Sequence, residues 1–233
     1  MDIEINITPG TLKDRIPLSR VNGINSLSLI GSINGDDIEF VRRIAGGYDW
    51  TDDFKSPGPL EVLDLSNCKF VQGGIYKHTE FMGPHKHVSL HQFFQMWVSH
   101  EYGGEGYGLK FNADDEISNE MFLGCFKLKK IILPRNIKRI GDLSFYDCKN
   151  LETLYIGNSL SSIGDYAFKL AYNLKEIHIK SNIPPILSKY AFGDPKYNTL
   201  PEMNPKNKII LYVPKGCASD YWLQWGFDNV IEE

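Results

Sequence analysis

The histidines are the residues of this chain most suited to chemistry. Of its six, five fall in one stretch: His78, His85, His87, His91 and His100. His87 and His91 are four apart, so on a helix they would share one face, as paired metal ligands do. Glu80 or Glu101 could supply a third ligand, which would make residues 78–101 a transition-metal site in a metal-binding protein or hydrolase. The set is incomplete, because no H-E-x-x-H motif accompanies it. A polar loop rich in histidine accounts for the same residues, so neither a metal nor any other cofactor is expected. "GGEGYG" at 103–108, followed by Lys110, lacks the G-x-x-x-x-G-K-[ST] pattern of a phosphate cradle. Cys68, Cys125, Cys148 and Cys217 form no C-x-x-C pair, and no G-x-S-x-G occurs. Asp52-Asp53 and Asp114-Asp115 are adjacent carboxylates whose side chains diverge, as in turns and caps rather than in an acid pair. The expectation is a protein that is not an enzyme.

The elements around these residues belong to an ordinary globular chain of 233 residues, 42% hydrophobic and 23% charged. A formal charge of −4 without basic clusters argues against nucleic-acid binding, which needs lysine and arginine at the phosphates. No apolar run approaches the about 18 residues of a membrane span. The opening "MDIEINITPG" has neither a basic start nor an apolar core, so no secretory leader is read in it.

Residues 113–194 repeat with a period of 23. Phe122, Phe145 and Phe168 align, as do Cys125, Cys148 and Ala171. So do Leu128, Leu151 and Leu174; Ile131, Leu154 and Ile177; and Leu133, Ile156 and Ile179. Ile137, Leu160 and Ile183, then Ile140, Ile163 and Ile186, continue the register, and Phe192 arrives one residue late after Pro184-Pro185. The L-x-x-I-x-I run predicts a short strand with alternate residues inward. The I-x-x-I-G run predicts a second extended piece, with Gly141 and Gly164 at sharp turns. D-x-x-F-x-x-C, with Asp142 and Asp165 as caps, predicts a helical turn. One such unit cannot bury its apolar face alone, whereas stacked units can. The shared slot of Cys125 and Cys148 predicts small buried residues rather than a disulfide.

Outside the regular units, "INSLSLIG" and "LEVLDLSNCKF" predict strands, and Ile38, Val41 and Ile44 in "DDIEFVRRIAG" predict a helix between them. "KIILYVPKGCASDYWLQWGF" predicts a last strand, a turn and a helix whose Tyr221, Trp222 and Trp225 close one end; residues 1–23 would shield the other.

The unit F-x-x-C-x-x-L-x-x-I-x-L-P-x-x-I-x-x-I-G-x-x-[SA]-F resembles the BspA-like leucine-rich repeat, also called the Treponema pallidum type. The likeness is close over 117–194. "LSLIGSINGDDIEFVRRIAG" and "LEVLDLSNCKFVQGG" resemble N-terminal portions of such proteins, and "LYVPKGCASDYW" resembles their usual ending. The resemblance implies an α/β fold, a right-handed solenoid of short parallel strands. It also implies extracytoplasmic placement, at a bacterial cell surface, binding of a protein or glycan, and no catalytic residues. The expected organisation is one domain over 1–233: an N-terminal cap with irregular repeats (1–75), an insertion (76–112), regular repeats (113–194) and a C-terminal cap (195–233).

Alternation within the strands also predicts a site. Ile132, Tyr155, His178 and, if the last strand keeps phase, Tyr212 point away from the core in one row. Lys130, Thr153 and Glu176 form a second row beside it. Lys130, Ile132, Tyr155, Glu176, His178 and Tyr212 are therefore the candidate binding residues. Trp97 joins them from the aromatic cluster Phe93, Phe94 and Trp97 in the insertion. On this reading, alanines at 155 and 178 would remove binding and leave stability nearly unchanged. A third possibility is a structural or self-assembling spacer.

Overall fold

A computed structural model describes residues 1–47, 58–77, 108–110, 114–193 and 205–233. His87, His91, Trp97 and the remaining candidates of the insertion between 78 and 107 lie outside the described residues, as do Asp52 and Asp53. In chain order the strands are β1 (Asp2–Ile7), β2 (Ser26–Ile33), β3 (Val62–Phe70), β4 (Ile75–Lys77), β5 (Gly108–Lys110), β6 (Glu116–Ile117) and β7 (Lys130–Ile132). They continue as β8 (Arg139–Ile140), β9 (Thr153–Ile156), β10 (Ser162–Ile163), β11 (Glu176–Ile179), β12 (Ile186–Leu187), β13 (Ile210–Val213) and β14 (Asn229–Glu232). The helices are α1 (Leu12–Arg15), α2 (Leu18–Val21), α3 (Gly35–Ile44) and α4 (Ala218–Trp225).

Eight strands form one parallel sheet in the order β1-β2-β3-β7-β9-β11-β13-β14, so spatial order follows chain order. A smaller parallel sheet runs β12-β10-β8-β6. Each regular unit gives one strand to each sheet: Lys130 pairs with Thr153 and Thr153 with Glu176, while Arg139 pairs with Ser162. Leu128, Leu151, Ile131, Leu154, Leu133 and Ile156 fill the space between the sheets, all at most 3% exposed. The phenylalanines stack along the interior, with Phe122 and Phe145 at 5.3 Å, Phe145 and Phe168 at 5.6 Å, and Phe168 and Phe192 at 5.3 Å. All four cysteines are free and buried, as the shared slot of Cys125 and Cys148 predicts. β4 and β5 pair antiparallel, so the two ends of the insertion meet. Among the described residues no helix is long and apolar enough to cross a membrane.

The D-x-x-F-x-x-C segments do not form helical turns. Their N–H groups bond the neighbouring unit instead: Glu120 to the Asp142 carbonyl, Phe122 to Ser144, Gly124 to Tyr146, and then Leu143 to Asp165, Phe145 to Ala167 and Asp147 to Lys169. A helix would need those donors for its own carbonyls. The path also takes Glu120, Leu143, Asp147, Tyr166 and Leu170 to positive φ between 55° and 64°, where side chains are disfavoured. The aspartates are not caps. Asp142 accepts from the Asp165 N–H at 2.8 Å, and Asp165 accepts from the Ser188 hydroxyl, so the carboxylates tie unit to unit.

Gly141 and Gly164 answer to close approach rather than to a sharp turn. A Cβ at Gly141 would lie 2.6 Å from the Asn119 nitrogen, and one at Gly164 would lie 2.8 Å from the Asp142 nitrogen. Backbone cannot yield as a side chain can, so Gly141→Ala is expected to cost about 1–3 kcal/mol in urea unfolding. An unchanged midpoint would mean that the units can part without loss.

The columns slip between Ile179 and Ile183, just before Pro184-Pro185. Ile186 and Ile183 are both 77% exposed, against the core positions expected for them. Ser162 pairs with Ile186 and Ile163 with Leu187, so Leu187 takes the inward slot after one extra residue. Trp222 is also outside, at 56% exposure, while Tyr221 and Trp225 are buried. The Tyr221 hydroxyl donates to the Ser181 carbonyl and Trp225 Nε1 to the Pro185 carbonyl, both at 2.8 Å. Beyond α4 the chain adds β14, a strand the sequence pattern did not suggest. At the other end, Ile3 and Ile5 of β1 pack on the core, which makes residues 2–7 part of the sheet.

The helix predicted around Ile38, Val41 and Ile44 is α3, with all three fully buried. Asn34 accepts from the Asp36 N–H and Asp37 from the Asn34 N–H, a reciprocal cap. Arg42, 3% exposed, donates through Nη1 to the carbonyls of Glu120 and Met121 at 2.7 and 2.8 Å. That contact locks α3 to the first regular unit.

Candidate functional site

The outward row forms as the alternation requires. Ile132 pairs with Tyr155, Tyr155 with His178, and His178 with Tyr212, so the last strand does keep phase. Strands in register hold their outward side chains at roughly 5 Å spacing, close to the stacking distance of flat rings. Tyr155 and His178 stack with centroids 4.2 Å apart and planes 9° apart; His178 and Tyr212 stack at 4.2 Å and 2°. Lys130 places its ammonium 4.8 Å from the centre of the Tyr155 ring. Thr153 donates to Glu176 at 3.5 Å, and Glu176 Oε2 lies 3.7 Å from His178 Nε2. Lys130, Ile132, Tyr155, Glu176, His178 and Tyr212 are thus one contiguous group on the large sheet.

Stacking changes what the row can offer. His178 has a ring on each face, and its side chain is only 12% exposed. Tyr155 has a ring on one side and a lysine on the other. These two residues therefore present ring edges, the Tyr155 hydroxyl and His178 Nδ1, not open faces. The ring faces that stack on sugars are taken. His178 is also partly structural: alanine there would leave two tyrosines without the ring between them, so the stability-neutral double substitution suggested by sequence does not apply.

Two residues of this face escaped the sequence reading. Lys180 and Glu233 meet on it, with Lys180 Nζ 2.6 Å from Glu233 Oε1 and His178 Nδ1 3.3 Å from Glu233 Oε2. The Lys180 hydrogen bond, aided by His178 and opposed by partial burial, holds the Glu233 carboxyl below its ordinary range. Lys180 was within reach of the alternation argument, two residues past His178. Glu233 was not, since it follows from β14. Next to it, Glu232 accepts from the Ala218 N–H at 3.1 Å, which fixes the end of β14 to the start of α4. Along one border, Lys129–Glu61 at 2.9 Å and Lys175–Glu152 at 3.0 Å alternate in sign from strand to strand.

Among the described residues, the thiols of Cys125 and Cys148 are not set up for nucleophilic attack. Burial pushes the Cys125 thiol up to about 12 and that of Cys148 well above its ordinary value, which keeps both protonated and inert. Asp114 accepts from the Gln72 N–H and Asp115 from the Asn136 amide, so this acid pair serves loops. Among the described residues no three histidine, cysteine or acidic side chains come together as a metal site would need.

Residues 112–217 match the BspA-type leucine-rich repeat region in six copies. No curated protein matches the chain. Repeats of this kind are in general non-catalytic modules for protein interaction. The matched span takes in four strands of the large sheet, β7, β9, β11 and β13, and with them Lys130 to Tyr212; residues 112–217 are a BspA-type leucine-rich repeat region.

Proposed function

We propose that the chain is a non-catalytic protein-binding module, a capped right-handed solenoid displayed outside the cytoplasm at a bacterial cell surface, where it serves adhesion. The observation that carries this reading is the stacked row Lys130, Tyr155, His178 and Tyr212 on an eight-stranded parallel sheet. A row of pre-ordered aromatic edges with charged neighbours loses little entropy on docking, which suits recognition of a protein. A protein is favoured over a glycan because the ring faces of Tyr155 and His178 are occupied. Self-assembly by stacking end to end is disfavoured. The two edge strands carry Asp2 and Glu4 at one end and Glu232 at the other, and like charges brought side by side on paired strands repel.

A photo-crosslinking residue separates this face from the rest of the surface. Benzoylphenylalanine at Ile132, in the outward row, is compared with the same group at Ile186, which is exposed on the small sheet. Each variant is offered to a panel of purified secreted and cell-surface proteins. Adducts from position 132 alone are expected. Equal yields from both positions, or none from 132, would remove this face as the binding surface.

A further inference from the structure

We propose that Lys180 and His178 form a receiving site for an aspartate or glutamate side chain of the protein partner, a site that Glu233 occupies in the free chain. This rests on the outer face being the docking surface and names what the face takes. Lys180 and His178 both stand on or just past β11, whereas Glu233 follows β14, two strands away in the sheet. Its carboxylate reaches back across β13 to a 2.6 Å contact with Lys180 and a 3.3 Å contact with His178 Nδ1. The Glu233 N–H bonds the Val213 carbonyl at 2.9 Å, which sets the residue in the same cross-strand row as Lys180, and the side chain spans the remaining distance.

Three features make the site ready for a second carboxylate. His178 is clamped between Tyr155 and Tyr212, so its Nδ1 is held in a fixed direction toward the carboxylate of Glu233, and a pre-ordered donor costs little to use. Its Nε2 makes no hydrogen bond, which leaves Nδ1 as the nitrogen that engages an incoming group. The Lys180–Glu233 pair is half open to water, with side chains 58% and 31% exposed, and such pairs hold weakly against competition. Charge completes the argument. With Glu233 seated, Lys130 and Lys180 balance Glu176 and Glu233; with Glu233 lifted away, two lysines face one glutamate, and an incoming carboxylate restores the balance. Glu233 is then an internal competitor that an acidic partner must displace.

Fluorescein-labelled, N-acetylated hexaglutamate is a direct probe, with hexalysine as control and anisotropy at low salt as the readout. Glu233→Gln is expected to bind hexaglutamate about tenfold more tightly than the parent chain, the scale of one charge-assisted contact freed for use. Adding Lys180→Gln to that variant should return affinity to the parental level, while Lys180→Arg should keep the gain. Circular dichroism and urea midpoints confirm that each variant is folded. Equal affinity of the parent and Glu233→Gln, or a gain that survives Lys180→Gln, overturns the proposal. Crosslinking from Ile132 does not depend on this carboxylate, so the docking face and its acidic specificity can fail separately.

Discussion

Asp37→Ala is expected to destabilise the protein by about 3–5 kcal/mol, the range for stripping a buried charged acceptor from several donors. Asp37 is 1% exposed. Its carboxylate accepts from the Gly10 N–H at 2.8 Å, the Leu12 N–H at 2.9 Å and the Asn34 N–H at 3.1 Å. One side chain thereby caps α3 and pins the loop that follows β1. Alanine removes the acceptor and leaves the Leu12 donor in a buried place. Asparagine keeps one acceptor oxygen and turns an amide toward N–H groups, so Asp37→Asn should lose roughly half as much. Urea unfolding followed by circular dichroism gives the magnitude. Hydrogen exchange gives the location: the amides of Ile3 and Ile5 should lose protection well before those of Leu154 and Ile177. A midpoint within about 0.5 kcal/mol of the parent, typical of surface changes, would mean that water replaces the carboxylate.

The outer row was open to sequence reasoning because two periodicities cross there. The repeat of 23 assigns Ile132, Tyr155 and His178 to equivalent places, and strand alternation turns all of them outward. Tyr212 lies 34 residues past His178 rather than 23, yet it keeps phase because the I-x-L-Y-V pattern leaves only one face for the apolar residues. What the pattern hides is the consequence of stacking. Residue types at equal spacing say nothing about whether rings will cover one another's faces, and that point decides which ligand the row suits.

Failures have local physical causes. Asp142 sits where a helix cap would sit, and its neighbours have acceptable helix spacing. The choice between helix and turn is made by the adjacent unit, whose carbonyls take the N–H groups of Leu143, Phe145 and Asp147. The repeat of 23 places Ile183 and Ile186 inward and makes Phe192 the first residue out of step. The structure puts the slip earlier, so Leu187 pairs with Ile163. Glu233 depends on β14, and Asn229–Glu232 is too short and too polar to announce a strand. The residue just past that strand carries the carboxylate nearest His178, so the part of the face most informative about ligand chemistry is the least legible.

Phe145→Ala is expected to cost about 3–5 kcal/mol, the usual penalty for emptying a buried aromatic site that cannot collapse. Collapse is blocked here on both sides. Phe122 and Phe168 flank the ring at 5.3 and 5.6 Å with planes 10° apart, and their units are held at fixed spacing by the N–H bonds of Phe122 to Ser144 and of Phe145 to Ala167. The cavity therefore stays open, and both neighbours lose contacts at once. Phe192 has a different position. It is 9% exposed and meets Phe227 edge-on, with planes 74° apart, at the end of the stack. Phe192→Ala should cost less than Phe145→Ala, because the residues past it can shift into the gap. Coupling gives a finer test. In a double-mutant cycle, Phe145 and Phe168 should interact by about 0.5–1.5 kcal/mol, the range for stacked aromatic pairs, whereas Phe122 and Phe192 share no contact and should be additive. Additivity at 145 and 168, or an equal penalty at 145 and 192, would mean that burial alone stabilises the repeats and that the ring ladder contributes no order of its own.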